Sequence, residues 1–167
     1  MILVDTSAWI DYFNNHGSIE ADYLTLCIAE ARPVVLAGLV LTETLLGLRN
    51  STQADKVTRA LSSFTLAPEL TRPDYEGAAA IYRACRDRGT TPRSTIDCLI
   101  AQLCLRHDYE LLSRDRDYEM IARVFPLKRI APGRGVHEQA RLYYTPEADP
   151  PRLTRQRAAA PRRSSRA

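Results

Sequence analysis

Two aspartates of this chain come shortly after short apolar runs, which is where a β-strand would end. Asp5 follows residues 2–4, which are Ile, Leu and Val, and Asp115 lies just past the apolar residues 111–112. Runs that are apolar on both faces are typical of strands inside a covered parallel sheet. Ligands bind at the carboxyl edge of such a sheet, so both carboxylates are candidates for chemistry. Each could instead simply cap the helix that follows its strand.

Two further carboxylates lie early in predicted helices that follow or flank these strands. Glu43 is the only charged residue between positions 33 and 48, and a buried carboxylate needs a cation as its partner. Pairing with a distant arginine, or exposure to solvent, is the structural alternative for Glu43. Asp97 follows Ser94 by three residues, a spacing that also fits a helix capping box.

The four carboxylates would repel one another at one sheet edge unless they were protonated or bound a cation. Oxygen ligands favour hard cations, so the pattern indicates Mg²⁺ or Mn²⁺. Such a site suits hydrolysis of a phosphodiester by metal-activated water. The sequence offers no rival motif, because it has no glycine-rich phosphate loop, no nucleophile elbow and no HExxH segment. A phospho-receiver domain would need a lysine beside the acidic pocket, and Lys56 and Lys128 do not follow strand ends suitably.

Strands and helices alternate along the chain, which predicts a parallel, three-layer α/β domain that carries these carboxylates. Strands are expected at residues 2–4, 34–37, 110–113 and 127–130, with a possible short strand at 64–67. Helices are expected after Asp5, from Tyr23 to Ala31, and at residues 42–48, 54–64, 74–88 and 116–124, with another beginning at Ser94. The chain of 167 residues is long enough for one domain with a real core.

Composition favours a cytoplasmic protein with no membrane span. Asp5 interrupts the opening apolar run before it reaches the length of a signal peptide, and the later apolar runs are too short to cross a bilayer. The four cysteines form no Cys-x-x-Cys pair and are expected to be reduced core residues. The three histidines are equally scattered, which argues against a histidine metal site.

Residues 133–167 differ in composition from the rest of the chain. They contain eight arginines against three acidic residues, so the net charge of +3 leaves the remaining body slightly acidic. Prolines interrupt this segment, and large aliphatic residues are scarce. Such a composition cannot bury enough apolar surface to order itself. We therefore expect a nuclease-like domain over residues 1–132 and a disordered basic tail over 133–167, which could attract RNA non-specifically.

Four segments resemble the PIN-domain ribonucleases, and specifically the VapC-type toxins of bacterial toxin–antitoxin pairs. They are residues 2–11 (ILVDTSAWID), 42–47 (TETLLG), 94–101 (STIDCLIA) and 111–118 (LLSRDRDY), and the resemblance covers roughly residues 1–131. It implies a five-stranded parallel sheet between helices and a Mg²⁺- or Mn²⁺-dependent endoribonuclease. It also implies a homodimer and a cognate VapB-type antitoxin that inserts a C-terminal segment into the active-site groove. The basic tail departs from the usual length of the family.

The resemblance also assigns roles to individual residues. It makes Asp5, Glu43, Asp97 and Asp115 the acidic quartet that binds the metal. Ser7 corresponds to a small polar residue that supports the site, and Asp117 to a secondary acidic position.

Arg93 immediately precedes the helix of Asp97, which favours a contact with RNA or with the antitoxin. A rival interpretation is a catalytically silent PIN-like module that only binds RNA or a partner. All four acidic positions are present, so the sequence gives this rival no support.

Overall fold

A parallel β-sheet forms the centre of the computed structural model, which describes residues 1–48 and 50–143. Its strands are β1 (Ile2–Val4), β2 (Val34–Leu36), β3 (Thr65–Leu66) and β4 (Glu110–Leu112). They pair in the order β3-β2-β1-β4, and all three pairings are parallel. The apolar run of β1 therefore occupies an interior position, and all three of its residues are buried. The predicted parallel α/β architecture is confirmed.

The fifth strand that we expected at residues 127–130 is reduced to a single bridge. Leu111 donates its N–H to the carbonyl of Lys128 at 2.8 Å and accepts from the N–H of Ile130 at 2.9 Å. Arg129 is the only residue of this segment that pairs with β4 in the described structure. Pro126 has no N–H with which to extend the ladder backwards. The described chain thus has four parallel strands, and the expected count of five is wrong by one.

Eight helices surround the sheet within the described residues. They are α1 (Thr6–Phe13), α2 (Ile19–Ala29), α3 (Gly38–Leu46), α4 (Ser51–Leu61), α5 (Arg72–Asp87), α6 (Thr95–His107), α7 (Asp117–Ala122) and α8 (Val136–Ala140). Most match the helices expected from the sequence, although α3, α4 and α5 begin earlier than the periodicity indicated. No helix of the described residues is long and apolar enough to span a membrane.

Helix α1 is fixed to the core by aromatic packing. Trp9 and Phe13 are fully buried, with ring centroids 5.7 Å apart, and Trp9 also meets Phe64 edge-on at 4.9 Å. Such aromatic contacts stabilise a core beyond the area that they bury. The beginning of α1, which follows β1 directly, is therefore held rigidly at the carboxyl edge of the sheet.

Helices α5 and α6 pack closely and set the position of the α6 N-terminus. A Cβ atom at Gly77 would come within 2.6 Å of the Gln102 side chain, so glycine permits the close approach. Asp74 is fully buried, accepts hydrogen bonds from Thr71 and pairs with Arg106 of α6. Burial opposes its ionisation, but the Thr71 hydrogen bonds and the Arg106 charge outweigh burial and lower the pKa of Asp74.

The segment after residue 132 departs from the expected disorder. Residues 136–140 form α8, where Ala140 is fully buried and His137 Nδ1 lies 2.6 Å from Asp22 Oδ2 of α2. The prediction of a disordered tail beginning at residue 133 is therefore wrong for this helix. The helix packs on α2 with one buried alanine and the His137 contact, and neither is visible as an apolar periodicity in the sequence. Residues 144–167, which carry the rest of that prediction, lie outside the described part.

Candidate active site

Asp5 is held in one orientation by hydrogen bonds to both of its carboxylate oxygens. Its Oδ2 accepts from the Ser7 backbone N–H at 3.2 Å, from Ser7 Oγ at 2.7 Å and from Ser113 Oγ at 3.0 Å. Its Oδ1 accepts from the Tyr118 hydroxyl at 3.1 Å. Asp5 is therefore the N-cap of α1, as the structural alternative foresaw, and is also only 5% exposed at the sheet edge.

Asp97 faces the same point from the first turn of α6. The hydroxyl of Tyr118 lies 3.4 Å from Asp97 Oδ1, so this one phenol connects Asp97 with Asp5. The capping box expected as the alternative is not formed: Ser94 Oγ accepts from the N–H of Ile96 at 3.1 Å, whereas the Asp97 carboxylate accepts from Tyr118. The Asp97 carboxylate is thus linked through Tyr118 to Asp5 and does not cap its own helix.

The surroundings of Asp97 disfavour its charge. Burial, followed by the negative charges of Asp5, Asp115 and Asp117, raises its pKa to about 7, while the Tyr118 hydrogen bond acts in the opposite direction. Asp5 and Asp115 therefore lie close enough to Asp97 for their charges to oppose its ionisation. A carboxylate in this situation favours either a proton or a cation.

Tyr118 and the cysteines remain protonated in this environment. Burial, together with the charges of Asp5 and Asp97, raises the pKa of Tyr118 well above its usual value, so the phenol remains a hydrogen-bond donor. Burial also raises the pKa of Cys98 to about 11 and that of Cys104 to about 12. All four cysteines are free and buried, which excludes them as thiolate nucleophiles and agrees with their expected role as core residues.

Glu43 reaches the neighbourhood of the cluster through Thr6. Its Oε2 accepts from Thr6 Oγ1 at 2.6 Å, and Thr6 is the residue that follows Asp5. Glu43 is half-buried, and α3 is less enclosed than its composition suggested, since Leu46 is 73% exposed. Neither structural alternative fits fully, because the side chain has a hydroxyl partner and no ion pair with an arginine among the described residues.

Asp115 and Asp117 are joined by Arg93. The Arg93 guanidinium donates to Asp115 Oδ1 at 2.8 Å and to Asp117 Oδ1 at 3.0 Å, and the Arg93 backbone N–H donates to Asp117 Oδ2 at 2.5 Å. Asp115 also accepts from the Asp117 N–H at 2.9 Å, so it supports the start of α7. Asp117 is buried and holds the loop before α6, whereas the Asp115 side chain is 35% exposed.

The donor set fits a hard divalent cation by its chemistry. All the converging groups are carboxylate or hydroxyl oxygens, and Asp97 carries a repelled charge that a cation would stabilise. In residues 1–48 and 50–143, however, no three acidic, histidine or cysteine side chains are arranged closely enough to hold a metal as they stand. The contacts give the reason, because Arg93 draws Asp115 aside and Thr6 holds Glu43.

The chain is similar to proteins of a known family. The family model described as "PIN domain" matches residues 2–124, which is most of the chain. The chain belongs to the PIN-domain family. Its relatives include Ribonuclease VapC11 of Mycobacterium tuberculosis, which is 38% identical over 132 residues, covering 77% of this chain and 96% of the relative. A VapC ribonuclease of Mycobacterium bovis matches with the same identity and coverage.

Solved structures confirm the PIN fold at lower sequence identity. VapBC2 from Rickettsia felis, bound to a DNA fragment from its promoter, has a TM-score of 0.62 and 18% identity, covering 78% of this chain and 98% of that chain. FitAcB from Neisseria gonorrhoeae has a TM-score of 0.58 and 17% identity, with 79% and 98% of the two chains covered. The expected resemblance to VapC-type PIN domains is therefore confirmed.

Several residues of this PIN-domain site were not singled out from the sequence. Ser113 directly follows β4 and contacts Asp5, so its position after a buried strand was a usable signal. Tyr118 offered no such signal, because an aromatic residue in a helix is most often a plain core residue. Arg114 pairs with the buried Asp11 across the chain, and sequence spacing alone does not reveal such a long-range pair.

Proposed function

We propose that this PIN domain is a divalent-cation-dependent endoribonuclease that hydrolyses RNA phosphodiester bonds as the toxin of a toxin–antitoxin pair. The observation that carries the proposal is the joining of Asp5 and Asp97 by the Tyr118 hydroxyl, with the pKa of Asp97 raised to about 7. The relatives in the same family are named ribonucleases, which supports RNA as the substrate.

Asp5, Glu43, Asp97 and Asp115 are the residues that would hold Mg²⁺ or Mn²⁺. When bound, such a cation supplies a Lewis acid that activates water and stabilises charge on phosphate. Asp115 has to leave Arg93, and Glu43 has to turn from Thr6, before both can join Asp5 and Asp97. These movements involve side chains that are half-buried or more exposed, so the core is not disturbed.

The remaining residues of the site orient these carboxylates. Ser7 and Ser113 fix one oxygen of Asp5, and Tyr118 fixes the other, so Asp5 keeps one geometry. Such a fixed ligand requires little reorganisation during the reaction. Asp117 serves mainly as the anchor of Arg93, which assigns it a positioning role.

A VapB-type antitoxin fits an apolar groove beside the site. The groove lies between α5 and α6, has a volume of about 720 Å³ and is lined by Tyr75, Tyr82 and Leu99 among others. Arg83 and Arg93 belong to the same lining, so an apolar segment with an acidic end would match it. Several of the structural neighbours are complexes of a toxin with its antitoxin, which supports this class of partner.

A homodimer and a cytoplasmic location complete the proposal. Leu66 and Tyr75 are each more than half exposed and line one apolar hollow with Leu39 and Leu70, a surface suited to a second copy. The four buried, unpaired thiols suit a reducing compartment.

Sequencing of RNA 5′ ends after induced expression tests the proposal and identifies the substrate. The wild-type protein should create new 5′ ends at a small set of positions, and the Asp5→Asn variant should create none. Matched protein levels of the two variants control for expression. If the same ends appear with both proteins, or with neither, the chain is the silent binding module that we consider as the alternative.

A further inference from the structure

Two buried aspartates outside the carboxylate quartet each anchor an arginine beside Asp115. Asp11 accepts from Arg114 Nη1 at 2.8 Å, and Asp117 accepts from Arg93 Nε at 3.0 Å. The two aspartate side chains are 1% and 2% exposed, whereas those of Arg114 and Arg93 are 52% and 72% exposed. Arg114 is thus bound to Asp11 through Nη1, and Arg93 is bound to Asp117 through Nε and to Asp115 through Nη2. Both arginine side chains nevertheless remain more than half exposed to solvent.

The open parts of these arginines line one cleft. Its volume is about 190 Å³, and Ser7, Arg93, Arg114, Asp115 and Arg116 form its lining. Three cationic side chains face a single carboxylate there, although the described body as a whole is not strongly basic. We call this feature the arginine cleft.

The arginine cleft adjoins the candidate active site. Ser7 Oγ donates to Asp5 and also accepts from the Arg114 N–H at 3.2 Å, so Ser7 belongs to both features. Asp115 is likewise shared, since it lines the cleft and belongs to the quartet. A ligand group in the cleft would therefore lie directly beside the carboxylates.

We propose that the arginine cleft binds an internal phosphate of the RNA strand, next to the bond that is cut. The inference rests on the proposed function for the identity of the strand. Neither Asp11 nor Arg114 has a role in the carboxylate chemistry, so the structure assigns them a role in substrate binding.

The geometry of the two ion pairs suits phosphate recognition. An arginine carries five N–H donors in a planar fork, so it can hold a buried aspartate with some and a phosphate with the others. Because Asp11 and Asp117 fix the two guanidinium groups in advance, less side-chain entropy is lost when phosphate binds. A lysine could not satisfy both partners in this way, since its ammonium group is a single point charge.

Replacing Arg114 by lysine tests the proposal without changing the net charge. The parent is the full chain with Asp97→Asn, kept in EDTA so that the RNA stays intact. The probe is a short, fluorescent, single-stranded RNA without a 5′-phosphate, whose binding is followed by anisotropy over a series of salt concentrations. Arg114→Lys should weaken binding about tenfold and reduce the slope of log affinity against log salt by about 0.7, the value for one phosphate contact on a single strand.

Arg123→Lys is the matched control, because Arg123 is exposed and follows the other end of α7. It should change affinity less than twofold. Equal effects of the two substitutions, or no RNA binding by the parent, would contradict phosphate binding by the arginine cleft. If Arg114→Lys lowers the melting temperature strongly, the double variant Asp11→Asn/Arg114→Gln replaces the ion pair by a neutral one at the same net charge. That variant should show the same loss of binding.

A separate assay distinguishes the two proposals: RNA cleavage is measured in Mg²⁺ with the protein in which Asp97 is intact. Cleavage together with unchanged binding by Arg114→Lys contradicts the cleft and leaves the proposed ribonuclease standing. Absent cleavage together with weakened binding contradicts the ribonuclease and leaves the phosphate site standing.

Discussion

Tyr118 connects the carboxylates of Asp5 and Asp97, on which the proposed cation site depends. Its hydroxyl lies 3.1 Å from Asp5 and 3.4 Å from Asp97, and its raised pKa keeps it protonated. The phenol can donate only one hydrogen at a time, so it cannot neutralise both charges fully. Burial is the largest cause of the raised pKa of Asp97, and the remaining repulsion from Asp5 adds to it, which is the reason to expect a cation between these groups.

We expect Asp97→Asn to abolish cleavage without destabilising the metal-free protein. Relief of repulsion from Asp5 and Asp115 should balance the loss of a helix-start charge, which is worth about 0.3–1 kcal/mol. Melting curves in EDTA should therefore show an unchanged or higher Tm. Mg²⁺ should raise the Tm of the wild type more than that of the variant. A lower Tm in EDTA, with no response of either protein to Mg²⁺, would make Asp97 a structural residue only.

Metal-free stability should fall as the pH rises through the range between the two pKa values of Asp97. The unfolded carboxyl titrates near 3.8 and the folded one near 7, so the folded protein retains a proton in that window. Stability then decreases with rising pH from about 4 to about 7 and levels off above. Thermal melts in EDTA at pH 5 and pH 8 should show a larger loss for the wild type than for Asp97→Asn. Parallel losses in the two proteins would contradict the raised pKa.

At the scale of residues, the sequence was sufficient to predict which side chains lie at the same sheet edge, because the end of a strand determines that position. Asp5 and Asp115 follow buried strands of one parallel sheet, and Asp97 begins a helix that packs beside them. It was not sufficient for pairs that only the packing of distant segments creates, such as Asp11 with Arg114. The anchoring of Arg93 by Asp117, 24 positions away, is of the same kind.

Among the elements, α8 adds to the domain where no order was expected. The match to the PIN-domain model ends at residue 124, and beyond it α8 packs on α2, with Ala140 buried and His137 in contact with Asp22. The sequence signal was weak because a five-residue helix with one buried alanine has no apolar periodicity to read. The fifth strand, by contrast, was expected and is not formed: of residues 127–130, which are Leu, Lys, Arg and Ile, only Arg129 pairs, opposite Leu111.

Two truncations test whether α8 belongs to the folded domain. Ending the chain after Tyr143 should leave the Tm unchanged, because α8 and its contact with Asp22 are retained. Ending it after Pro132 should destabilise the protein by about 1–3 kcal/mol. The removal of Ala140 exposes the surface on which α8 packs, and Asp22 loses its contact with His137. The matched comparison is between the two truncated proteins by chemical denaturation. Equal stability would show that α8 contributes nothing to folding.

The whole molecule combines a slightly acidic folded body with an excess of arginine near its C-terminal end. Phosphate binding by this body would therefore depend on local features, and we propose the arginine cleft and a bound cation for that role. The apolar groove between α5 and α6 is the surface that we propose for an antitoxin. The hollow lined by the exposed Leu66 and Tyr75 is the surface that we propose for a second copy. All these surfaces border the carboxyl edge of one sheet or the helices that follow it.

The central claim is that the carboxylate cluster cuts RNA through a divalent cation and water. The most direct measurement is cleavage of RNA by the purified protein in Mg²⁺ or Mn²⁺ and in EDTA, with chemical analysis of the new ends. We predict cleavage only with the cation, with 5′-phosphate and 3′-hydroxyl ends, because activated water attacks the phosphate instead of the ribose 2′-hydroxyl. Full activity in EDTA, or ends that carry a cyclic phosphate, would contradict the account.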